Sequence, residues 1–249
     1  MIDLKTDDGI AVVTMRHGKA NALDIELCAA LAKCFDELRG STARAVVLTG
    51  ERMFSAGVDL LRVSAGGADY LREFLPILNR MYEAVYFHPK PVVAAINGHA
   101  IAGGCVLACC ADRRIMARTG ARIGVTELLV GVPFPALAFE IVRAAVPTRH
   151  LAEFTFGGAT YDVDAALQRG WIDEVAEAAT LMQEAIAAAQ KLSMLSPLAF
   201  AQNKKQIRQP ASERVARSGA AIDQAVTEIW TAAATLARVR EYVARTLKK

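Results

Sequence analysis

The chain has few of the residues that bind metals or form disulfides. Its 249 residues include five cysteines, an odd number with no CxxC pair, and four histidines with no HxH or HxxxH spacing. Three of the cysteines, Cys105, Cys109 and Cys110, lie in one apolar run. This pattern predicts neither a disulfide framework nor a metal site, and it favours small buried thiols in a reducing compartment.

A strong net charge and a targeting segment are also missing. The formal net charge is +3, and no stretch interleaves basic and aromatic residues, which argues against a nucleic-acid partner. The N-terminus, MIDLKTDDGIAVVTM, lacks the basic and apolar segments of a signal peptide. Residues 91–111 carry no formal charge, but Asn97, His99 and the glycines between them and Cys105 indicate a strand, a turn and a buried helix rather than a membrane span. We therefore expect a cytoplasmic protein.

Hydrophobic residues make up 53% of the chain, and their spacing alternates between the strand and the helix period. Strands over 2–5 and 10–15 are predicted to form a hairpin around Asp7-Asp8-Gly9. The further predicted segments are helix 24–39, strand 45–49, helix 68–87 with an interruption near Pro76, strand 91–96, helix 103–110, strand 113–117, helices 135–145 and 148–156, and a last helix over 211–247. This order predicts an α/β fold with a mostly parallel sheet. We place a domain boundary between an α/β core, residues 1–195, and a helical appendage, residues 196–249.

Two glycine loops, residues 53–60 and 97–105, follow two of the predicted buried strands. Ligand sites of α/β sheets lie beyond the carboxyl ends of the strands, and glycine lets the backbone approach a ligand closely. Gly104 stands where a P-loop has its lysine, and Met53 replaces the first glycine of GxSxG. A P-loop and a nucleophilic role for Ser55 are therefore disfavoured.

Several segments, in this order, resemble the crotonase (enoyl-CoA hydratase/isomerase) family. They are residues 54–60, 95–98 and 102–105, then Asp112, Ile115-Met116, 124–131 and 165–175. The resemblance covers nearly the whole chain. It implies a crotonase-like spiral of ββα units with a C-terminal helical appendage over 196–249 that serves trimerisation, and hence a homotrimer or a dimer of trimers.

The resemblance also implies an oxyanion hole and a catalytic carboxylate. The backbone amides of Ser55 and Gly103 match the family's oxyanion positions, where two fixed donors stabilise the charge on a thioester oxygen. Glu127 matches one of the two glutamates of the family's hydratases, and Val106 stands where the other would be. Glu73, Glu140 and His99 are less suited alternatives, which we interpret as solvated or structural residues.

Moving a double bond requires one base, whereas adding water suits two carboxylates. The sequence therefore favours an enoyl-CoA isomerase, and residues 131–135 and 102–107 are similar to those of Δ3,Δ2-enoyl-CoA isomerases. Two alternatives stay open. One is a hydratase or another family lyase that uses a different carboxylate, and the other is an acyl-CoA binding protein without catalytic activity.

The substrate site follows from the same resemblance, with coenzyme A as part of the substrate and no separate cofactor. The predicted substrate and coenzyme A contacts are Lys19, Ala20, Ala22, Ser55, Ala56, Asp59, Leu60 and Gly104. Arg16, Lys19 or Lys248 is expected to pair with phosphates. The predicted lining of the acyl pocket is Val58, Leu61, Val106, Phe134 and Leu137.

Overall fold

The computed structural model describes residues 1–246 and contains a six-stranded sheet in the order β1-β2-β3-β4-β6-β8. Its strands are β1 (Ile2–Asp7), β2 (Ile10–Met15), β3 (Ala45–Gly50), β4 (Val92–Ile96), β6 (Arg113–Arg118) and β8 (Glu174–Glu177). β1 pairs with β2 in antiparallel fashion, and every other neighbouring pair is parallel. Two short strands, β5 (Ala100–Ile101) and β7 (Ile123–Gly124), form a separate parallel ladder. The predicted α/β fold with a mostly parallel sheet is confirmed.

The helices cover the sheet on both faces. They are α1 (Ile25–Gly40), α2 (Leu60–Tyr86), α3 (Gly103–Cys109), α4 (Ala136–Ala145), α5 (Thr148–Gly157), α6 (Val163–Arg169), α7 (Leu181–Ser193), α8 (Pro197–Thr231) and α9 (Ala233–Thr246). A single 3-10 turn spans Glu127–Leu129. Over residues 1–246, none of these helices combines the length and the apolar composition that crossing a membrane requires.

Strand β3 shows how one short apolar run serves two hydrophobic layers. Successive side chains of a strand point to opposite faces. Val46 and Leu48 belong to the large cluster that packs against α1 to α4, whereas Val47 packs against Leu181 and Ala185 of α7. A parallel sheet that is covered on both faces requires such a continuous apolar strand.

Helix α2 corrects the sequence prediction at both its start and its interruption. It begins at Leu60 rather than at residue 68, because the Asp59 side chain accepts hydrogen bonds from the amides of Leu61 (2.9 Å) and Arg62 (3.0 Å). The kink lies at Gly67, where φ is 59° and ψ is −143°, and not near Pro76. Glycine adopts this conformation without a steric penalty, whereas the proline is accommodated on the exposed surface of the helix.

The C-terminal helices also differ from the prediction. Helix α8 continues through Pro210 to Thr231, and the break falls at Ala232, whose φ of −62° and ψ of 139° are extended. The predicted single helix from 211 is therefore wrong, and its predicted end at Leu247 lies outside the described residues.

Helices α8 and α9 pack against the core of their own chain. Asp112, directly before β6, accepts from Lys204 and Arg208 of α8, each at 2.6 Å. Asp223 of α8 accepts from the amide of Ala136 at 2.8 Å, which holds α8 against the start of α4. The predicted boundary at residue 195 falls between α7 and α8, and both its meaning as a domain limit and the role of the appendage in trimerisation stay predictions.

Candidate active site

A cavity of about 470 Å³ lies at the carboxyl ends of β3 and β4, between the two glycine loops and the C-terminal helices. It is lined by Lys19, Ala20, Ala22, Ala56, Val58, Asp59, Leu60, Leu61, Leu78, Tyr82, Ile101, Ala102, Gly103, Val106, Thr126, Glu127, Val130, Val132, Phe134, Pro135, Ala138, Trp230 and Tyr242. Most of these residues are apolar, which is typical of a site that takes a largely apolar ligand and orients it with a few polar groups.

The amide of Ser55 is not an available donor, so the predicted oxyanion role of Ser55 is wrong. Its N–H donates to the carbonyl of His99 at 2.9 Å, and its carbonyl accepts from Ile101 at 3.0 Å. Its hydroxyl donates to the carbonyl of Asn21 at 2.7 Å and accepts from the amide of Gly57 at 3.1 Å. Ser55 is fully buried and is absent from the cavity lining. It joins the two loops instead of facing a ligand.

Gly104, a second predicted contact, is excluded from the cavity for a related reason. A Cβ on Gly104 would lie 2.6 Å from the carbonyl oxygen of Ser55, so this glycine packs against the first loop. It is buried and does not line the cavity. Gly104 therefore allows the close approach of the two loops.

Val58 provides a free amide of the first loop at the cavity. Its neighbours are both paired to Leu23, because the carbonyl of Gly57 accepts from Leu23 at 2.8 Å and the amide of Asp59 donates to it at 3.0 Å. In extended backbone, alternate residues present their peptide groups to opposite sides, so Val58 is turned away from Leu23. Val58 lines the cavity, and its N–H has no acceptor among residues 1–246.

A second free amide is that of Gly103, the other residue whose amide the sequence resemblance assigned to the oxyanion hole. Gly103 is the first residue of α3, where a helix leaves its N–H groups unpaired. The preceding Ala102 holds φ at 50° and ψ at −126°, and its amide donates to Gly124 at 2.8 Å. Gly103 lines the cavity, and its N–H has no acceptor within the described part of the chain. Val58 and Gly103 together give the cavity two backbone donors from different loops.

Glu127 supplies to the same cavity a carboxylate that forms no ion pair with a described residue. It starts the 3-10 turn, and its backbone carbonyl accepts from Val132 at 3.1 Å. The side chain is 9% exposed, and its Oε2 has no hydrogen-bond partner among the described residues. Burial raises the pKa of Glu127 to about 7, and hydrogen bonds from the backbone amides of Glu127 and Thr126 oppose this rise only in part.

The other carboxylates and the histidine that were considered have structural roles. Asp59 lines the cavity, but its side chain caps α2. Glu140 is paired with Arg143 at 3.2 Å and with Arg214 at 2.7 Å, and Glu73 is exposed outside the cavity. His99 is exposed and accepts from the amide of Arg122 at 3.1 Å. Within residues 1–246, Glu127 is thus the cavity-lining carboxylate that is not committed elsewhere.

The mouth of the cavity contains most of the predicted coenzyme A contacts, namely Lys19, Ala20, Ala22, Ala56, Asp59 and Leu60. Lys19 is exposed and forms no ion pair with a described residue. Arg16 is paired with Asp3 at 3.2 Å and with Glu51 at 3.4 Å, and it does not line the cavity. Lys248 lies outside the described residues.

The lining residues that had no functional signal in the sequence include four with a polar side-chain atom, Tyr82, Thr126, Trp230 and Tyr242. Tyr82, Trp230 and Tyr242 fit the helical spacing of ordinary core residues, and Thr126 fits a loop. The hydroxyl of Tyr82 donates to the carbonyl of Gly103 at 2.9 Å, and burial raises the pKa of Tyr82 well above its usual range. Of the residues predicted for the acyl pocket, Leu137 is buried outside the lining, and the others, Val58, Leu61, Val106 and Phe134, line the cavity.

Comparisons with known proteins agree on one family. A sequence model described as enoyl-CoA hydratase/isomerase matches residues 5–242. A putative enoyl-CoA hydratase of Thermus thermophilus is 33% identical over 202 residues, which are 79% of each chain. The crystal structure of a probable enoyl-CoA hydratase from Mycobacterium tuberculosis has a TM-score of 0.83 at 32% identity and covers 91% of this chain and 95% of the other. The human mitochondrial Δ3-Δ2-enoyl-CoA isomerase, at 23% identity, shares the fold with a TM-score of 0.94 over 99% and 98% of the two chains.

Proposed function

The chain belongs to the enoyl-CoA hydratase/isomerase family, and we propose that within this family it moves the double bond of an enoyl-CoA from Δ3 to Δ2. One observation carries the proposal. Among the described residues, the cavity holds one uncommitted carboxylate, Glu127, and the apolar side chain of Val106 stands where a second would be needed to hold a water molecule. A single base is enough for the transfer of a proton along an acyl chain.

The first step is removal of a proton from C2 of a 3-enoyl-CoA by ionised Glu127. The electrons of the broken C–H bond delocalise into the thioester, and negative charge develops on its oxygen. The amides of Val58 and Gly103 would donate to that oxygen, and they are already in place because the two loops are bonded to each other. The loss of one such donor typically costs about 3–4 kcal/mol of transition-state stabilisation.

The second step returns the same proton to C4 from the protonated Glu127. The double bond then lies between C2 and C3, where it is conjugated with the thioester carbonyl, and Glu127 is ionised again. A group that takes and gives one proton works best when its pKa is near the operating pH. The burial that raises the pKa of Glu127 to about 7 supports this double role.

Coenzyme A is proposed to enter over the first loop. Lys19 at the mouth would attract a phosphate, and the backbone around Ala20, Ala22 and Ala56 would contact the nucleotide and pantetheine. Asp59 and Leu60 contribute the start of α2 to the same rim. No cofactor besides the coenzyme A of the substrate enters this reaction.

A second candidate, hydration of a 2-enoyl-CoA, is favoured by the hydratase names of the bacterial relatives. It requires a group that holds and polarises water opposite Glu127. Asp59 is the other carboxylate in the lining, and it is already bonded to the amides of Leu61 and Arg62. A third candidate is binding of acyl-CoA without turnover. Binding alone does not require a buried carboxylate with a raised pKa, so Glu127 favours a catalytic role over this candidate.

The test is incubation of the protein with a 3-enoyl-CoA and, separately, with a 2-enoyl-CoA, beside Glu127→Gln and the exposed control Glu73→Gln. We expect conversion of the 3-enoyl-CoA by the wild type and by Glu73→Gln, a loss of about 10²-fold or more in Glu127→Gln, and no water uptake. Rapid hydration of the 2-enoyl-CoA would replace the proposal with the second candidate. Tight binding without any turnover would support the third.

The oligomeric state is a separate proposal. We propose a homotrimer or a dimer of trimers, as the family resemblance implied. Light scattering coupled to size-exclusion chromatography measures the mass directly. A monomer would contradict the proposal.

A further inference from the structure

The cavity has an exposed mouth and a buried inner end. Lys19, Ala56 and Leu61 are exposed, and they mark the mouth. At the other extreme, Leu78, Val132, Ala138 and Trp230 are all buried, although each lines the same space. If coenzyme A occupies the mouth, as proposed, and its thioester carbonyl is held by Val58 and Gly103, the space left for the acyl chain includes these buried side chains.

Trp230 is the largest side chain of the inner end, and it is fixed. Its indole Nε1 donates to the carbonyl of Pro133 at 3.0 Å, and the residue is only 3% exposed. It stands in the last turn of α8, directly before the break at Ala232, and α8 packs against both α2 and α4. The indole thus lines the same space as Leu78 of α2 and Ala138 of α4, and its only polar atom is bonded.

The side chains of the inner end, Leu78, Val132, Ala138 and Trp230, offer no unpaired polar atom to a ligand. The hydroxyl of Tyr82 is bonded to Gly103, the indole N–H is bonded to Pro133, and the charged lining residues of the described chain other than Glu127 lie at the mouth. A polar substituent would lose its hydrogen bonds to water there without replacement. An unsubstituted hydrocarbon chain fits this surface.

We infer that Trp230 determines the length of the acyl chain, by forming the wall that the terminal methyl group meets. The inference rests on the proposed function, because it takes an acyl-CoA as the ligand. It assigns a substrate-selecting role to the C-terminal helices of the same chain, and a linear hydrocarbon as the acyl class.

The test compares kcat/KM for 3-hexenoyl-, 3-octenoyl-, 3-decenoyl- and 3-dodecenoyl-CoA in the wild type and four variants. Trp230→Ala and Trp230→Phe open the wall, and Ala138→Leu narrows the same end from α4. Trp171→Phe is the control, since Trp171 is fully buried against Phe154, with ring centroids 4.4 Å apart, and is absent from the lining.

We expect the ratio of dodecenoyl to hexenoyl kcat/KM to rise about tenfold or more in Trp230→Ala and to fall in Ala138→Leu, with an intermediate rise in Trp230→Phe. Trp171→Phe should leave the ratio unchanged. If Trp230→Ala does not fold, opposite shifts of this ratio in Trp230→Phe and Ala138→Leu still test the inference. The inference is overturned if all four substrates change in parallel in every folded variant.

Calorimetry with hexanoyl-, octanoyl-, decanoyl- and dodecanoyl-CoA separates this inference from the proposed reaction. If the wild type converts no 3-enoyl-CoA but Trp230→Phe shifts the affinity toward longer saturated chains, the chain-length role of Trp230 is supported and the isomerase proposal is contradicted. If turnover occurs but the variants have the same chain-length dependence of affinity and of kcat/KM as the wild type, the isomerase proposal is supported and the role of Trp230 is contradicted.

Discussion

Gly57 and Gly103 are in contact across the two donor loops, since a Cβ on Gly57 would lie 3.1 Å from the Gly103 amide nitrogen and 2.5 Å from the carbonyl oxygen of Ile101. We expect Gly57→Ala to push the loops apart and to lower kcat by about 10²-fold, the usual effect of losing one oxyanion donor. The measurement is steady-state kinetics on a 3-enoyl-CoA.

Gly67→Ala is the matched control for that variant. Both glycines have positive φ, 84° at Gly57 and 59° at Gly67, so both substitutions carry the backbone cost of a side chain in this region. A Cβ on Gly67 would meet nothing within 4 Å. An equal loss of kcat in the two variants would show that the effect comes from backbone strain and not from the spacing of the donors.

The pH dependence of the reaction should report Glu127. Because its pKa is raised to about 7 and the base must be ionised, kcat/KM should fall as the pH drops below about 7. A rate that stays constant down to pH 5 would contradict this assignment. The profile of Glu73→Gln should coincide with that of the wild type.

Val106→Glu should move this acidic limb to higher pH. Residue 106 lines the same cavity as Glu127 and is buried. A carboxylate at residue 106 would therefore repel the negative charge of ionised Glu127 and raise the pKa of Glu127 further. We expect an upward shift of about one pH unit or more. Val106→Gln has a similar size and no charge, and its profile should keep the wild-type limb. Equal shifts in the two variants would point to altered packing instead.

The same carboxylate should make the protein less stable as the pH rises. The folded-state pKa of Glu127, about 7, lies above the ordinary value of 4.5, so between these values the folded state binds more protons than the unfolded state. The free energy of unfolding therefore decreases with pH over that range, by on the order of 3 kcal/mol for this group. In urea denaturation, the free energy of unfolding of Glu127→Gln should increase relative to that of the wild type as the pH rises from 4.5 to about 7. Above that range the difference between the two proteins should stay constant. A difference that is independent of pH would contradict the raised pKa.

Ala102→Gly should stabilise the fold. Ala102 holds φ at 50° and ψ at −126°, a region that is costly for any residue with a Cβ, and glycine would remove that strain. After subtraction of the greater freedom of glycine in the unfolded chain, we expect a gain of about 1 kcal/mol by urea denaturation. Asp8→Gly, at φ 44° in the first hairpin, should gain less, because aspartate tolerates positive φ better than alanine does.

The sequence by itself determined the fold class and the general position of the site. The alternation of apolar runs such as β3 with helical spacing such as that of α1 is a local property, and so is the placement of glycine loops after buried strands. Glu127 and Gly103 were also within reach of the sequence, because the family pattern assigns them by position. These features depend on neighbours along the chain and need no knowledge of distant contacts.

The tertiary structure alone decided which amide is free and where the cavity ends. Ser55 and Val58 belong to one extended loop, and the pairing of Ser55 with His99 and Ala100, more than 40 residues away, turns its amide away from the cavity and leaves that of Val58 unpaired. Trp230 reaches the site only because α8 folds back onto α2 and α4. Such long-range contacts leave no periodic signal in the sequence, because they are fixed by packing between elements and not by the local preference of any one segment.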